Sequence, residues 1–186
     1  GRDPAELPLA QAAITRWAGL AEELDAPTGY RRHGNLRLAR TPGEVRTIAA
    51  MVEAQRALGL DLTFLADPAA VRAIAPALGP AVLAASFCPG DGHADPDATI
   101  TAYAAAARRH GAVIREGVPV LDLIRRGSRI TGVQTPDGPL NADAVIVATG
   151  IHAPSLLAPL GLALPLAVKR VCVLQTVPTA PCFDQV

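Results

Sequence analysis

The longest stretch of this chain without a charged side chain, Ala144–Val168, constrains its fold more than any other feature. Its length would allow a membrane-spanning helix, which needs about 20 apolar residues. Prolines and glycines interrupt it, however, and lipid could not satisfy the backbone groups that such breaks leave unpaired. We therefore predict no membrane span. The sequence indicates a buried strand over 144–148, a turn, a short helix and a second loop.

The composition is that of a neutral globular chain. Half of the 186 residues are hydrophobic, 18% are charged and 3% are aromatic, and 17 basic side chains balance 17 acidic ones. Apolar content this high can form a core, which excludes intrinsic disorder. Binding of nucleic acid would call for a basic excess and stacking aromatic rings, so we predict no such partner. The length suits one large domain or one and a half small ones.

The start of the chain and its cysteines bear on the cellular context. Gly1 is not an initiator Met, and Gly1–Pro4 resembles neither a signal sequence nor a transit peptide. We expect the chain to be part of a longer protein. Cys88, Cys172 and Cys182 are widely separated and form no C-x-x-C pair, so they predict neither a metal site nor a disulfide framework. Buried or idle thiols in a reducing cytoplasm are the default interpretation.

Capping signals and apolar periodicity predict helices and strands up to residue 111. Helical spacing of apolar residues predicts a helix over 8–24. A capping side chain precedes a proline at three further helix starts: Thr41-Pro42, Asp67-Pro68 and Asp95-Pro96. In the last of these helices, Tyr103 is predicted to lie in the core, with its hydroxyl reaching outward. Strands are predicted within three ranges: 30–40, 63–65 and 81–87.

Four further strand-like runs follow: 113–115, 118–124, 129–134 and 144–148. Arg126-Gly127-Ser128 predicts a hairpin turn between the second and third runs. Thr135–Gly138 predicts another turn, with Pro at its second position. The last run is solidly apolar, which is typical of a strand buried on both faces.

Two glycine-containing motifs are candidates for ligand binding. Gly90–Asp95 falls one residue short of G-x-G-x-x-G, because Asp95 stands where the third glycine would be. A carboxylate there would repel a pyrophosphate, so we interpret this segment as a turn and a helix cap. Ala144–Gly150 is an apolar run that ends in Ala-Thr-Gly. Ligands bind at such strand ends in open α/β folds, although many buried strands also end in glycine.

The order of these segments resembles the D-amino-acid-oxidase-like flavoproteins, which include sarcosine oxidase and glycine oxidase. Four segments carry the resemblance: Gly29–Ala39 (GYRRHGNLRLA), Pro89–Pro96 (PGDGHADP), Arg108–Gly117 (RRHGAVIREG) and Ala144–Pro154 (AVIVATGIHAP). The resemblance spans almost the whole chain. It implies an FAD-dependent oxidation of a C–N bond in a small amine or amino acid, with hydride transfer to the flavin and hydrolysis of the imine product.

The resemblance also implies a set of cofactor-binding residues. The backbone of Val120 would contact adenine, and Ala148, Thr149 and Gly150 would lie against the cofactor. His152 stands where the family often has an aromatic residue. The family's N-terminal G-x-G-x-x-G strand and its C-terminal part are absent from this sequence. The catalytic residues therefore stay unassigned, and we expect residues 1–186 alone to bind FAD poorly.

The predicted fold class is α/β, with mixed α+β character: part of an FAD-binding domain together with strands and helices of a substrate domain. We assign 1–90 mainly to the substrate domain, 91–163 to the later part of the FAD-binding domain, and 164–186 to a return into the substrate domain. No metal site is predicted.

Arg31 and His33 are candidate substrate-binding residues, because on a strand they would share one face and Arg binds carboxylates. The alternative is a solvated basic edge, which would also discourage association between strands.

Two other functions remain open at this point. One is a non-catalytic α+β interaction module, or a subunit completed by a partner chain. The other is a different two-domain flavoprotein, such as a dehydrogenase acting on a hydroxylated substrate. Self-association is a further expectation, since apolar surface left uncovered favours it.

Overall fold

The computed structural model describes residues 4–172, 177 and 180. Its contacts divide the described chain into two compact units, one running up to Val113 and the other covering Ile114–Val177. Each unit contains a three-stranded antiparallel sheet. Helices and strands are mixed, as the predicted fold class requires.

The helices follow the predicted order along the chain. The α-helices are α1 (Leu7–Leu24), α2 (Pro42–Arg56), α3 (Pro68–Ile74), α4 (Pro96–Arg109) and α5 (Ala153–Leu157). Single 3₁₀ turns cover Pro4–Glu6, Gly150–His152 and Ala158–Leu160. None of the helices in the described part of the chain combines the length and the apolar character that a membrane crossing needs.

The first unit is built around the sheet formed by β1 (Asn35–Ala39), β2 (Thr63–Leu65) and β3 (Ala84–Cys88), in the order β1-β3-β2. Helix α2 packs Ile48 and Val52 against one face of this sheet, and α3 packs Val71 against the other. Alternate residues of each strand point to opposite faces, so one sheet contributes to two apolar clusters.

Three helices of this unit begin where their capping side chains predict. The Thr41 hydroxyl accepts a hydrogen bond from the Glu44 N–H at 3.2 Å, and Glu44 completes a capping box. The Asp67 carboxylate accepts from Ala69 and Ala70, and the Asp95 carboxylate accepts from Ala98 at 2.9 Å. The prediction of a turn and a cap over Gly90–Asp95 is confirmed.

The Glu44 carboxylate makes the stability of α2 depend on pH. It accepts hydrogen bonds from the backbone N–H of Arg40 at 2.7 Å and of Thr41 at 3.1 Å. The Arg40 bond is the main cause of the lowered pKa of this carboxyl. A lowered folded-state pKa stabilises the fold above the unfolded value, and this contribution is lost as the pH falls through the folded value. We expect Glu44→Gln to lower the urea midpoint of unfolding at neutral pH. At a pH below the folded-state pKa of Glu44, the substitution should leave that midpoint unchanged.

The control for this prediction is Glu53→Gln, which removes the same charge from an exposed position of α2 away from the cap. We expect this control to change the free energy of unfolding by no more than about 0.5 kcal/mol, as most surface substitutions do. If Glu44→Gln lowered the midpoint equally at neutral and acidic pH, the ionised state of the carboxyl would have no part in the cap.

Helix α4 packs against α1 mainly through small residues on its own side of the contact. The cluster between the two helices contains Leu20, Leu24, Ala102 and Ala106. Tyr103 is exposed, so the prediction that it lies in the core is wrong, and Ile100 is exposed as well. Alanines let two helices approach closely, and the face that carries them is therefore the one that packs.

The second unit contains a meander of β4 (Asp122–Arg126), β5 (Arg129–Thr135) and β6 (Gly138–Asn141). Arg126 pairs with Arg129 across Gly127-Ser128, and Thr135 pairs with Gly138 across the second turn. Both predicted turns are confirmed. The pairing shifts between Ile124 and Arg125, whose partners are Gly132 and Ile130, so Thr131 is the extra residue of a bulge in β5.

Three predicted strands differ from the structure. Residues 113–115 and 144–148 lie outside all strands, and the strand predicted over 118–124 begins only at Asp122. Ile146, expected to be buried on both sides, is 92% exposed. A strand needs neighbours to pair with its backbone, and within the described residues nothing is hydrogen-bonded to the backbone of 144–148.

Candidate functional site

The end of the apolar run 144–148 forms a compact turn. Thr149 precedes the 3₁₀ turn Gly150–His152, and its carbonyl accepts a hydrogen bond from the His152 N–H at 3.0 Å. The Ser155 hydroxyl donates to the His152 carbonyl at 2.8 Å. Gly150 has φ +54°, a left-handed conformation that a residue without a side chain adopts at no steric cost.

Val120 lies directly before the meander, in an irregular segment. The N–H of the next residue, Leu121, donates to the Gln134 carbonyl at 2.8 Å and ties this segment to β5. Neither the N–H nor the C=O of Val120 is hydrogen-bonded to another described residue. Its backbone therefore offers a donor and an acceptor to a ligand.

These two segments meet at a cavity of about 340 Å³ in the second unit. It is lined by Val120, Leu121, Thr149, His152, Ser155 and Leu156. Two predicted cofactor residues, Val120 and Thr149, thus line one cavity. Ala148 and Gly150 adjoin Thr149 in the chain but are not among the lining residues.

The cavity is lined by both apolar and polar residues. Leu121 and Leu156 supply apolar surface, while Thr149, Ser155 and His152 supply hydroxyls and an imidazole. No carboxylate or guanidinium lines it. A volume near 340 Å³ is at the lower end for a small-molecule pocket, which suits one portion of a dinucleotide rather than the whole molecule.

A protein-family model matches almost the whole chain. The family model described as "DAO: FAD dependent oxidoreductase" covers residues 1–185. The chain belongs to this family. FAD is the cofactor of the DAO family, as the resemblance of the four sequence segments implies.

Several proteins that are similar to this chain are named as amine or amino-acid oxidoreductases. The chain is 34% identical over 157 residues to the mitochondrial dimethylglycine dehydrogenase of Homo sapiens, covering 83% of this chain and 18% of that protein. It is 30% identical over 162 residues to sarcosine oxidase subunit beta of an Arthrobacter species, covering 84% of this chain and 40% of that protein.

The fold is similar to that of solved DAO-family structures. Glycine oxidase from Geobacillus kaustophilus superposes with a TM-score of 0.78 at 30% identity, over 88% of this chain and 44% of that chain. The chain therefore spans less than half the length of these three relatives.

The predicted substrate-binding residues Arg31 and His33 lie in the first unit, and both side chains are exposed. Strand β1 begins only at Asn35, so the alternation predicted for them within a continuous strand is absent. The backbone of Arg31 instead forms an isolated bridge with His93. Neither Arg31 nor His33 is among the residues that line the cavities of about 520 and 440 Å³ in this unit.

One cavity of the first unit was not predicted from the sequence. Arg37 and Ser86, on β1 and β3, line a cavity of about 440 Å³ in the first unit. The alternation of Asn35 and Arg37 along β1 was the available signal. Their partners across the sheet could not be known without the register, which pairs residues far apart in the chain.

Proposed function

We propose that this chain is part of an FAD-dependent oxidoreductase that oxidises a C–N bond of a small amine or amino acid. The match of the family model to residues 1–185 carries the proposal. Bound FAD would supply the hydride acceptor, and the imine product would hydrolyse. The names of the relatives, dimethylglycine dehydrogenase and sarcosine oxidase among them, support an amine or amino acid as the substrate.

The cavity of the second unit would hold part of the cofactor. We assign the unpaired backbone N–H and C=O of Val120 to the adenine edge, whose ring nitrogens and amino group need such partners. Ala148, Thr149 and Gly150 would lie along the cofactor, because Gly150 carries no side chain to obstruct it. Arg31 and His33 remain candidate contacts for a substrate carboxylate.

The domain assignment belongs to the same proposal. Residues 1–90 would contribute mainly to the substrate domain, 91–163 to the FAD-binding domain, and 164–186 to a return into the substrate domain. Most of the residues beyond Cys172 lie outside the described part of the chain, so that last assignment rests on the resemblance alone.

The cysteines support a reducing compartment. Cys88 and Cys172 are free, the first half-buried and the second exposed; Cys182 lies outside the described residues. Both are compatible with the prediction of buried or idle thiols. Free thiols persist in the cytoplasm, which is the compartment that we propose.

The test is to express the complete reading frame that contains residues 1–186, together with residues 1–186 alone. We expect the complete protein to purify with stoichiometric flavin, and its flavin absorbance to bleach without oxygen when dimethylglycine, sarcosine or a D-amino acid is added. Residues 1–186 alone should show little flavin absorbance. Bleaching by hydroxy acids alone would favour the other flavoprotein class, and a colourless complete protein would favour a non-catalytic module.

A variant of Gly150 tests the cofactor assignment in the complete protein. Gly150→Val forces a β-branched residue into φ +54°, so we expect the flavin-to-protein ratio to fall at least about tenfold while the circular dichroism is retained. Gly161→Val is the matched control, because Gly161 has φ +74° and equally open surroundings but, unlike Gly150, does not adjoin a residue that lines the cavity. Equal flavin loss in both variants would contradict the assignment.

A subunit completed by a partner chain is the second candidate function. The backbone of 144–148 has no hydrogen-bonded neighbour within the described residues, although its sequence is that of a buried strand. One relative is itself named as a subunit, sarcosine oxidase subunit beta. Copurification of a second polypeptide with the complete protein would support this candidate.

A further inference from the structure

The meander of the second unit carries two arginines next to each other at one end. Arg126 ends β4 and Arg129 begins β5, and the register places them directly opposite each other across the turn Gly127-Ser128. Residues paired in this way point to the same face of a sheet, with their Cβ atoms about 5 Å apart. Like charges directly opposite each other destabilise a sheet, and an anion bound between the two guanidinium groups would remove this repulsion.

Neither guanidinium has an acidic partner in the described part of the chain. Arg129 donates one hydrogen bond, to the main-chain carbonyl of Asp143 at 3.3 Å. The Arg126 guanidinium neither donates a hydrogen bond to a described residue nor forms an ion pair with one. Both arginines are exposed. Most of their N–H groups are therefore available to a ligand.

The two arginines line a cavity of about 520 Å³ in the second unit. Asn141 of β6 pairs with Gly132 of β5, which in turn pairs with Ile124 of β4. Ile124 lies two residues before Arg126, so Asn141 and the arginines are on the same face of the meander. The remaining lining residues are Thr131, Ala142 and Asp143. Because no large apolar side chain lines this cavity, it suits a polar ligand.

The bulge at Thr131 holds the cavity wall in place. An extra residue in one strand bends that strand locally. The Thr131 hydroxyl donates to the Ile124 carbonyl at 3.4 Å, and the Ala142 N–H donates to the Thr131 carbonyl at 2.9 Å. These bonds connect the bulge to both neighbouring strands. The arginines and Asn141 therefore project from paired strands, which position side chains more accurately than loops do.

Asp143 is the one acidic residue among those that line this cavity. Its carboxylate forms no ion pair with a described basic side chain, so it neutralises neither arginine. Two guanidinium groups face one carboxylate in the lining, and the excess charge is positive. The cavity therefore favours an anion, although Asp143 weakens that preference.

We propose that this cavity binds the phosphoryl group of a small molecule, either inorganic phosphate or a phosphate monoester, between Arg126 and Arg129, with the Asn141 amide as a further donor. A phosphoryl group has three or more acceptor oxygens and about two negative charges, enough for both guanidinium groups. A carboxylate has two oxygens, which one guanidinium already occupies. The cavity shares no lining residue with the one assigned to the cofactor, so the proposal does not depend on the oxidation proposed above.

The test is a titration of the 186-residue chain with phosphate, glycerol 3-phosphate and acetate, followed by NMR chemical shifts at constant ionic strength and slightly above neutral pH. We expect saturable shifts of the backbone amides of 126–131 and 141–143 with phosphate, and binding of acetate at least about tenfold weaker. Tighter binding of glycerol 3-phosphate would identify an ester as the ligand, and equal binding would identify free phosphate. No saturable binding of either, or equal binding of acetate, would overturn the proposal.

Three variants locate the site. Arg126→Met should weaken phosphate binding at least about tenfold, since it removes one charge-assisted contact. Asp143→Asn should strengthen it about threefold, because the repelling charge is lost while the main-chain carbonyl bound by Arg129 is retained. Arg125→Met is the matched control: Arg125 is exposed, its guanidinium donates to the Gly127 carbonyl, and it does not line the cavity.

We expect Arg125→Met to change the affinity for phosphate by less than about twofold, because exposed charges outside the site are screened by salt. Circular dichroism checks that each variant keeps the fold. Equal losses of affinity in Arg126→Met and Arg125→Met, or weaker binding in Asp143→Asn, would refute the assignment.

Discussion

Gly92→Ala is expected to destabilise the first unit by about 3 kcal/mol or more, at the upper end of the usual range for one substitution. An ideal Cβ on Gly92 would lie 2.3 Å from the Arg31 carbonyl oxygen and 3.1 Å from the Arg32 Cα. Both are backbone atoms, so neither can move aside as a flexible side chain would. Urea unfolding followed by circular dichroism measures the loss.

The close approach at Gly92 is fixed by a reciprocal pair of hydrogen bonds. The Arg31 N–H donates to the His93 carbonyl at 2.8 Å, and the His93 N–H donates to the Arg31 carbonyl at 3.0 Å. A methyl group at position 92 can be accommodated only if this pair separates. The segment before β1 would then lose its attachment to the loop that follows β3.

Gly90→Ala is the matched control within the same loop. The nearest atom to a Cβ at Gly90 is the Arg32 Nη2 at 3.3 Å, the end of a long side chain that can move. We expect this variant to change the free energy of unfolding by less than about 1 kcal/mol. If the two alanine variants proved equally stable, the packing of Gly92 against Arg31 would not hold the loop in place.

Ile146→Lys is expected to raise the dissociation constant for self-association of the 186-residue chain at least about tenfold. Ile146 is 92% exposed at the centre of an apolar run whose backbone has no hydrogen-bonded neighbour in the described residues. Exposed apolar backbone of this kind pairs with other chains. A charge at its centre opposes that pairing. Sedimentation velocity over a wide concentration range measures the shift.

The control for this prediction is Ile100→Lys. Ile100 is 67% exposed as well, but it lies on α4, where the helix itself pairs the backbone groups. Its substitution adds the same charge and should leave the association unchanged. A wild-type chain that stays monomeric at every concentration would contradict the prediction, as would equal effects of the two lysine variants.

The features that the sequence predicted correctly depend on local chemistry. A Thr or Asp before a proline satisfies the free N–H groups of a helix start, so the caps at Thr41, Asp67 and Asp95 follow from a few adjacent residues. The turn at Gly127 also follows from its own residues and their backbone conformation.

The features that were predicted wrongly depend on partners distant in the chain. The apolar run 144–148 has the composition of a buried strand, but burial requires neighbouring strands, and the described residues provide none. Tyr103 has helical spacing with Ile100 and yet is exposed, because α1 packs on the alanine face. Local periodicity identifies an apolar face without showing whether anything covers it.

The residues of the candidate sites also differ in whether the sequence alone could identify them. The resemblance named both Val120 and Thr149, and these residues line one cavity. Arg31 and His33 were selected for their chemistry on a predicted strand that begins only at Asn35. Arg37 and Ser86 become neighbours only through the register of β1 with β3, which the sequence does not reveal.

The order β1-β3-β2 sets a sequence of events during synthesis of the chain. Strand β3 lies between the other two, and the register includes no direct pairing of β1 with β2. A nascent chain can form α2 and its cap early, because those contacts are local. Neither β1 nor β2 gains a partner in this sheet until Ala84–Cys88 has left the ribosome. The sheet of the first unit can therefore close only late in synthesis, after the last of its three strands has emerged.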